Sequence, residues 1–235
     1  MAMMPVVRFP ILLVVVRMLG IMVAALVLVW CVHYRGGLAI SSDKKALIFN
    51  VHPVLAVIGF LLLNGEGILA YKATSGTKRF KTLVHLGIQF LALSFGVIAV
   101  LFVLKFHFEK GVDILYSLHS WLGLACLFLF SVQWALGFAT FWYAGGSRIS
   151  RANILPWHVF FGFYIYALMV VTCVTGILEK ATFLQVHNII SRFSAEAMLI
   201  NLLGLLIVTL GGFVILAIVT PTIGKDDLHE SKLEV

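Results

Sequence analysis

Six apolar stretches, Ile11–Val32, Leu47–Ala70, Leu83–Leu104, Leu118–Phe141, Leu155–Leu178 and Ala197–Thr220, take up most of this 235-residue chain. Each is long enough to cross a hydrocarbon layer of roughly 30 Å, which needs about 20 residues of helix. With 62% hydrophobic and only 11% charged residues, the composition excludes a soluble domain, and lipid must be the solvent. Little is left over for a second domain. Residues 1–235 therefore read as one integral membrane domain, an all-α fold of six transmembrane helices with a central four-helix bundle made by helices 2–5. The first stretch is too long for a signal-peptide core and has no small-x-small site before His33-Tyr34-Arg35, so no secretory cleavage is expected.

The formal charge of +7 does not point to nucleic acid, because the basic residues are scattered in short connections rather than gathered on one face. Lys72, Lys78, Arg79 and Lys81 crowd the second connection, and Arg148 and Arg151 the fourth, with no acid in either. Adding Arg8, Lys225 and Lys232 places nine on that side, against Arg35, Lys44, Lys45, Lys105, Lys110, Lys180 and Arg192 on the other. The bias puts both termini in the cytosol. Cys31, Cys126 and Cys173 fall in or beside apolar stretches with no CxxC or CxxCH, so a zinc site and covalent haem attachment have no support.

Four of the eight histidines, His52, His85, His119 and His158, lie about one turn inside the starts of spans two to five. Because consecutive spans alternate direction, His52 and His119 share one membrane depth and His85 and His158 the opposite one. An imidazole in hydrocarbon is costly without a partner. Haem iron is such a partner, and two neutral imidazoles on facing helices can fill both axial positions of a porphyrin, leaving no open place for dioxygen. Electron transfer follows from that ligation. The four histidines are thus expected to ligate two non-covalent b haems on the order of 20 Å apart, from helix rise. Small residues one turn on from the ligands, Ala56, Gly123 and Gly162, leave room for a porphyrin, whereas His85 is followed by Gln89. Glu66 and Gln133, each fourteen residues after a histidine, hint at two stacked helical hairpins. Glu66 is expected to snorkel to the headgroups.

At this point the residues resemble the cytochrome b561 family, ascorbate-reducible six-helix di-haem membrane cytochromes. Ser117-Leu118-His119-Ser120-Trp121-Leu122-Gly123 matches that family's SLHSWLG signature, and the Asn64–Lys72 stretch resembles the end of its second helix, with Lys81 four residues before His85. The resemblance covers roughly residues 47–178, which would form the di-haem core. It implies a transmembrane oxidoreductase, with cytosolic ascorbate as donor and monodehydroascorbate or a ferric chelate as acceptor on the other side. It also implies haem on His52 with His119 and on His85 with His158, and a homodimer. Tyr71-Lys72-Ala73-Thr74 stands where many animal members are richer in arginine, which favours a plant-like member. A vacuolar or other endomembrane setting is the expected location.

Ascorbate is a small monoanion, so its site should offer fixed cations near a haem edge. Lys78, Lys81, Tyr143 and Arg151 are the cytosolic candidates, with Arg79 and Arg148 nearby. On the far face the candidates are Phe106, His107 and Tyr116, where the family places an acceptor site; His107 could also bind a ferric chelate or relay a proton. His33, His187 and Asn188 decorate that face, and His229 lies in the polar tail.

Two alternatives stay open on the residues alone. One is the cytochrome b subunit of a quinol-linked dehydrogenase. The other is a haem-free proton-coupled or metal transporter, although Pro53 and Pro156 read as span starts and no mid-span break is expected. Helices 1 and 6, without ligand histidines, are left free for a dimer face or a lipid face.

Overall fold

A computed structural model of the protein describes residues 8–143 and 147–221. Lys225, His229 and Lys232 lie outside the described residues. Among the described residues six helices are long and apolar enough to cross a membrane: α1 (Phe9–Tyr34), α2 (Lys45–Ala73), α3 (Lys78–Lys110), α4 (Leu118–Trp142), α5 (Arg148–Val186) and α6 (Ala195–Val219). The described residues form no strand. Thr77, Ser117, Ser147 and Ser194 begin α3 to α6 as N-caps, each side-chain oxygen accepting from an amide three residues on. Gly111, in the left-handed region at φ 64°, ends α3.

The helices outrun the apolar stretches. At 33 and 39 residues, α3 and α5 are about 50 and 58 Å long at a rise of 1.5 Å per residue, well beyond the hydrocarbon. The basic residues read as connections are therefore helical. Lys78, Arg79 and Lys81 form the first turn of α3, Arg148 and Arg151 the first turn of α5, and only residues 74–77 separate α2 from α3. Lys72, in the last turn of α2, donates to the carbonyls of Ala217, Ile218 and Thr220 and so satisfies the C-terminus of α6.

The prolines are a further correction. Pro53 and Pro156 are not at helix starts but more than two turns inside α2 and α5, because α2 already begins at Lys45 and α5 is extended by the polar turns that start at Arg148. A mid-span irregularity is present as well: α2 is π-helical over Leu55–Leu62. Shorter π-helical turns close α1 (Trp30–Tyr34) and α4 (Phe138–Trp142). Within the α2 stretch, a Cβ on Gly59 would stand 2.4 Å from Phe95, and one on Gly96 would stand 2.7 Å from Phe60. Each phenyl ring thus seats on the other helix's glycine, which holds α2 and α3 at close approach.

α2/α3 and α4/α5 form two hairpins that face each other. Helices α1 and α6 pack together and against this bundle with one face each, and their outward faces stay exposed at Val14, Met18 and Ile21 on α1 and at Met198, Leu205 and Val208 on α6. Leu203, Ile207, Leu210 and Val214, spaced three or four apart on α6, are buried with Val16, Val23 and Val27 of α1. Two ion pairs fix the arrangement. Glu196 at the start of α6, 5% exposed, receives the Arg35 guanidinium and the Trp30 indole N–H at 3.0 Å. Glu66 does not simply snorkel; it meets Arg17 of α1 at 3.2 Å.

Replacing Glu196 by alanine leaves the Arg35 charge half-buried without its carboxylate. It should lower stability by about 3–5 kcal/mol, as for other broken buried pairs, read as a drop in thermal unfolding temperature in detergent. Trp30→Phe should cost only about 1 kcal/mol.

Candidate functional site

The four span histidines come together as two pairs. The rings of His52 (α2) and His119 (α4) have centroids 6.1 Å apart, and those of His85 (α3) and His158 (α5) 6.2 Å apart. All four are half-buried. Their orientation is set by backbone carbonyls of neighbouring helices: His52 Nδ1 contacts the Ala99 oxygen at 2.9 Å, His85 Nδ1 that of Gly67 at 2.7 Å, and His119 Nδ1 that of Thr172 at 2.9 Å. A carbonyl only accepts, so Nδ1 carries the proton in each of these rings and Nε2 keeps its lone pair for a ligand.

These contacts also measure the separation of the pairs. Ala99 is fourteen residues beyond His85 on α3, and Thr172 fourteen beyond His158 on α5, which puts the pairs about 21 Å apart along the bundle.

The glycines against these rings were missed by sequence reasoning. A Cβ on Gly176 would stand 2.6 Å from the His119 ring, and one on Gly137 would stand 2.9 Å from His158. Both lie on the neighbouring helix of the hairpin, where no local spacing reveals them. Gly123 and Gly162, singled out from sequence, meet only ordinary contacts, with Thr172 at 3.6 Å and Gln133 at 3.7 Å. Gln133 donates to the His158 carbonyl at 2.6 Å.

The donor chemistry can be tested against a porphyrin iron. A metal–imidazole bond of about 2.0 Å on each side, plus roughly 1.1 Å from nitrogen to ring centre, sets two ligating imidazole centroids about 6.2 Å apart. The observed pairs fit that spacing. No group of three or more His, Cys, Asp or Glu side chains gathers among the described residues. Two imidazoles suffice for an iron whose equatorial ligands come from the macrocycle.

At the face where α1 begins and α6 ends, an open cleft of about 600 Å³ is lined by Lys78, Arg79, Thr82, Phe141, Trp142 and Arg151. Among the described residues three cations and no carboxylate line it, an environment for a small anion. Phe141 connects cleft to site, its ring 5.2 Å from that of His158. Arg79 stacks on Trp142 at 5.8 Å. Of the other sequence candidates, Lys81 is turned away and donates to the Tyr71 carbonyl at 3.3 Å, and Tyr143 is 66% exposed against Phe138. Tyr71 lies 5.5 Å from His85 and is hydrogen-bonded to Thr82 at 2.5 Å.

At the far face Phe106, His107 and Tyr116 form one aromatic row. Tyr116 stacks on His107 at 6.5 Å, His107 meets Phe106 at 5.7 Å, and Phe106 reaches Phe49, which lies 6.2 Å from His52. The His107 Nδ1–H donates to the Asp113 carbonyl at 2.9 Å. Phe49, Glu179 and Lys180 are additions to the sequence candidates: Lys180 Nζ sits 4.2 Å over the Phe49 ring, and the Tyr116 hydroxyl donates to Glu179 at 2.6 Å. That hydrogen bond, then burial and the carboxylate charge, push the Tyr116 phenol up to about 12. His33 lies against Tyr34, and His187 against Phe183, whose ring also meets Lys180 Nζ at 5.1 Å.

Fold and site together define a six-span membrane protein built around two facing imidazole pairs. Residues 51–184 match the model of the eukaryotic cytochrome b561 family. The chain is 63% identical over 94% of its length to transmembrane ascorbate ferrireductase 2 of Arabidopsis thaliana, covering 95% of that protein. It is 44% and 43% identical to the probable ascorbate-specific transmembrane electron transporters 1 and 2 of Oryza sativa subsp. japonica, with 88% of each chain covered in both comparisons. The chain belongs to the eukaryotic cytochrome b561 family and is of its plant type. Membership implies haem b, which the imidazole pairs fit.

Tyr116 is neutral in the folded and the unfolded chain below about pH 10, so its bond to Glu179 contributes fully there and is lost as pH rises towards 12. An ultraviolet phenolate titration should show one tyrosine ionising near 12 in the native protein. Glu179→Gln should bring that step down towards the ordinary value of about 10.

Proposed function

We propose that the protein is a transmembrane oxidoreductase that takes electrons from ascorbate at the cytosolic face. It passes them through two bis-histidine b haems and delivers them to monodehydroascorbate or a ferric chelate on the other side. The observation that carries this reading is the pair of imidazole couples with ring centres 6.1 and 6.2 Å apart, one towards each face. Haem b held there would cycle between ferric and ferrous iron, moving one electron at a time. The two pairs lie within residues 47–178, the di-haem core of a chain that forms one membrane domain.

The residues around each pair divide the work. Lys78, Arg79 and Arg151 draw in the ascorbate monoanion and hold it beside Phe141, in van der Waals reach of the His85/His158 pair. Lys81 supports this approach from the rim by fixing the Tyr71 backbone, and Tyr143 stands at the same rim. At the far face the His107 Nδ1–H is taken by the Asp113 carbonyl and the Tyr116 O–H by Glu179, so the His107 Nε2 and the Tyr116 oxygen are left to accept from the hydroxyls of the acceptor or to meet ferric iron. Phe106 and Phe49 bridge that acceptor site to His52.

The basic residues that crowd the second and fourth connections of the sequence, without an acid, support a cytosolic location for those connections and for both termini. A vacuolar or other endomembrane setting and a homodimer belong to the same reading. The names of the plant relatives, ascorbate ferrireductase and ascorbate-specific electron transporter, support the donor.

Pyridine haemochrome analysis of purified protein should give two haems b per chain, falling to one in His85→Ala or His158→Ala with loss of fast reduction by ascorbate. His52→Ala or His119→Ala should also leave one haem but spare that fast reduction. A colourless preparation, or a mixed pattern in which His52 and His85 behave as one unit, would overturn the reading. Lys78→Gln combined with Arg151→Gln should raise the ascorbate KM about tenfold or more, since each charged hydrogen bond is worth about 1.5–3 kcal/mol, with both haems retained.

A further inference from the structure

A second cavity, of about 310 Å³, lies between α1, α2, α5 and α6, apart from both imidazole pairs and from the cationic cleft. Its walls are largely apolar, with Val16, Leu62, Leu210 and Val214 among them. Arg17 and Glu66, paired at 3.2 Å, interrupt that lining. Tyr166 does so too: it is fully buried, at 0% exposure, and its hydroxyl has no hydrogen-bond partner among the described residues. Buried phenols are nearly always hydrogen-bonded, so this one is a donor waiting for an acceptor. Gly65 keeps the space before it, since a Cβ there would stand 3.2 Å from the hydroxyl oxygen.

The cavity is reached from lipid. On α1 its edge carries Arg17, with a side chain 53% exposed, and Ile21, 64% exposed. Glu66 is next to Gly67, the residue whose carbonyl receives His85, so the cavity lies at the depth of the His85/His158 pair. Only the width of α2, about 10 Å, stands between them. Ionisable groups in a span are costly and mark ligand paths.

We propose that this cavity binds the ring head group of a prenylquinone-class membrane lipid. One ring carbonyl accepts from the Tyr166 hydroxyl, the opposite carbonyl accepts from the Arg17 guanidinium, and the isoprenoid tail leaves past Ile21 into the bilayer. The chemistry selects this class: a para-quinone offers two acceptors on opposite edges of a flat, largely apolar ring. An acyl chain offers none, and a sterol offers a single hydroxyl. The volume is at the small end for small-molecule sites, enough for a ring but not for a whole lipid. The inference does not rest on the ascorbate reading.

The test uses full-length protein with its haem in phosphatidylcholine nanodiscs, labelled with a photoreactive azido-ubiquinone and mapped by mass spectrometry, with decyl-ubiquinone as competitor. Saturable labelling of α1, α2 and α5 peptides, displaced by decyl-ubiquinone, is the expected result. Gly20→Leu directs its side chain towards Leu62, 3.9 Å from a Cβ at that position, and should abolish the labelling. Tyr166→Phe should weaken decyl-ubiquinone competition about three- to tenfold, the worth of one neutral hydrogen bond. Both variants should keep the haem spectrum and its reduction by ascorbate, which reads the proposed function separately. Labelling that does not saturate, persists in Gly20→Leu, or is displaced equally well by a sterol would overturn the assignment. If Gly20→Leu fails to fold, unchanged competition in Tyr166→Phe overturns it.

Discussion

The hydrogen bonds from histidine Nδ1 to helix carbonyls are the contacts on which the rest of the structure depends. In hydrocarbon an imidazole N–H has no water to turn to, and a helical carbonyl already engaged with its own helix still has a second lone pair to offer. Each such bond therefore sets three things at once: the tautomer, the direction of Nε2 and the register of two helices. In the α2/α3 hairpin, His52 bonds to Ala99 and His85 to Gly67, so the hairpin is tied near both ends. In the α4/α5 hairpin, His119 bonds to Thr172, and Gln133 donates to the His158 carbonyl at the other end. The two hairpins repeat one plan with a change of donor at one corner.

Helix contact supplies the fine adjustment. Rings that must stand edge-on between helices need one neighbour without a side chain, and Gly176 and Gly137 are those neighbours. The α2/α3 pair is drawn close by reciprocal phenyl–glycine contacts at Gly59 and Gly96, in the region where α2 widens into π-helical geometry. α1 and α6 do not enter this ligand geometry. They brace it, through an apolar seam along their length and the Arg35–Glu196–Trp30 cluster at one end.

The two faces differ chemically in a way that suits opposite roles. The cleft beside His158 is cationic and open, so it concentrates an anion by long-range attraction. The far side leads to His52 through a row of ring contacts, with Lys180 tucked over Phe49 and Tyr116 held by Glu179.

The sequence by itself determined the six spans, their alternation and the matched depths of the histidines, because hydropathy and helix rise act along the chain and need no knowledge of neighbours. The pairing of His52 with His119 and of His85 with His158 was legible for the same reason. What only the tertiary structure decided are properties of helix pairs: that Arg17 meets Glu66, that α1 and α6 cover the bundle, that Gly137 and Gly176 take the rings, and that Glu179 restrains Tyr116. The prolines show the limit clearly. Apolar length marks where lipid begins, not where a helix begins: α5 continues beyond its apolar stretch by turns that the Ser147 cap and basic side chains sustain, and α2 starts at Lys45, so Pro156 and Pro53 fall inside them. Contacts between residues distant in sequence depend on rotation and register, which no local period encodes.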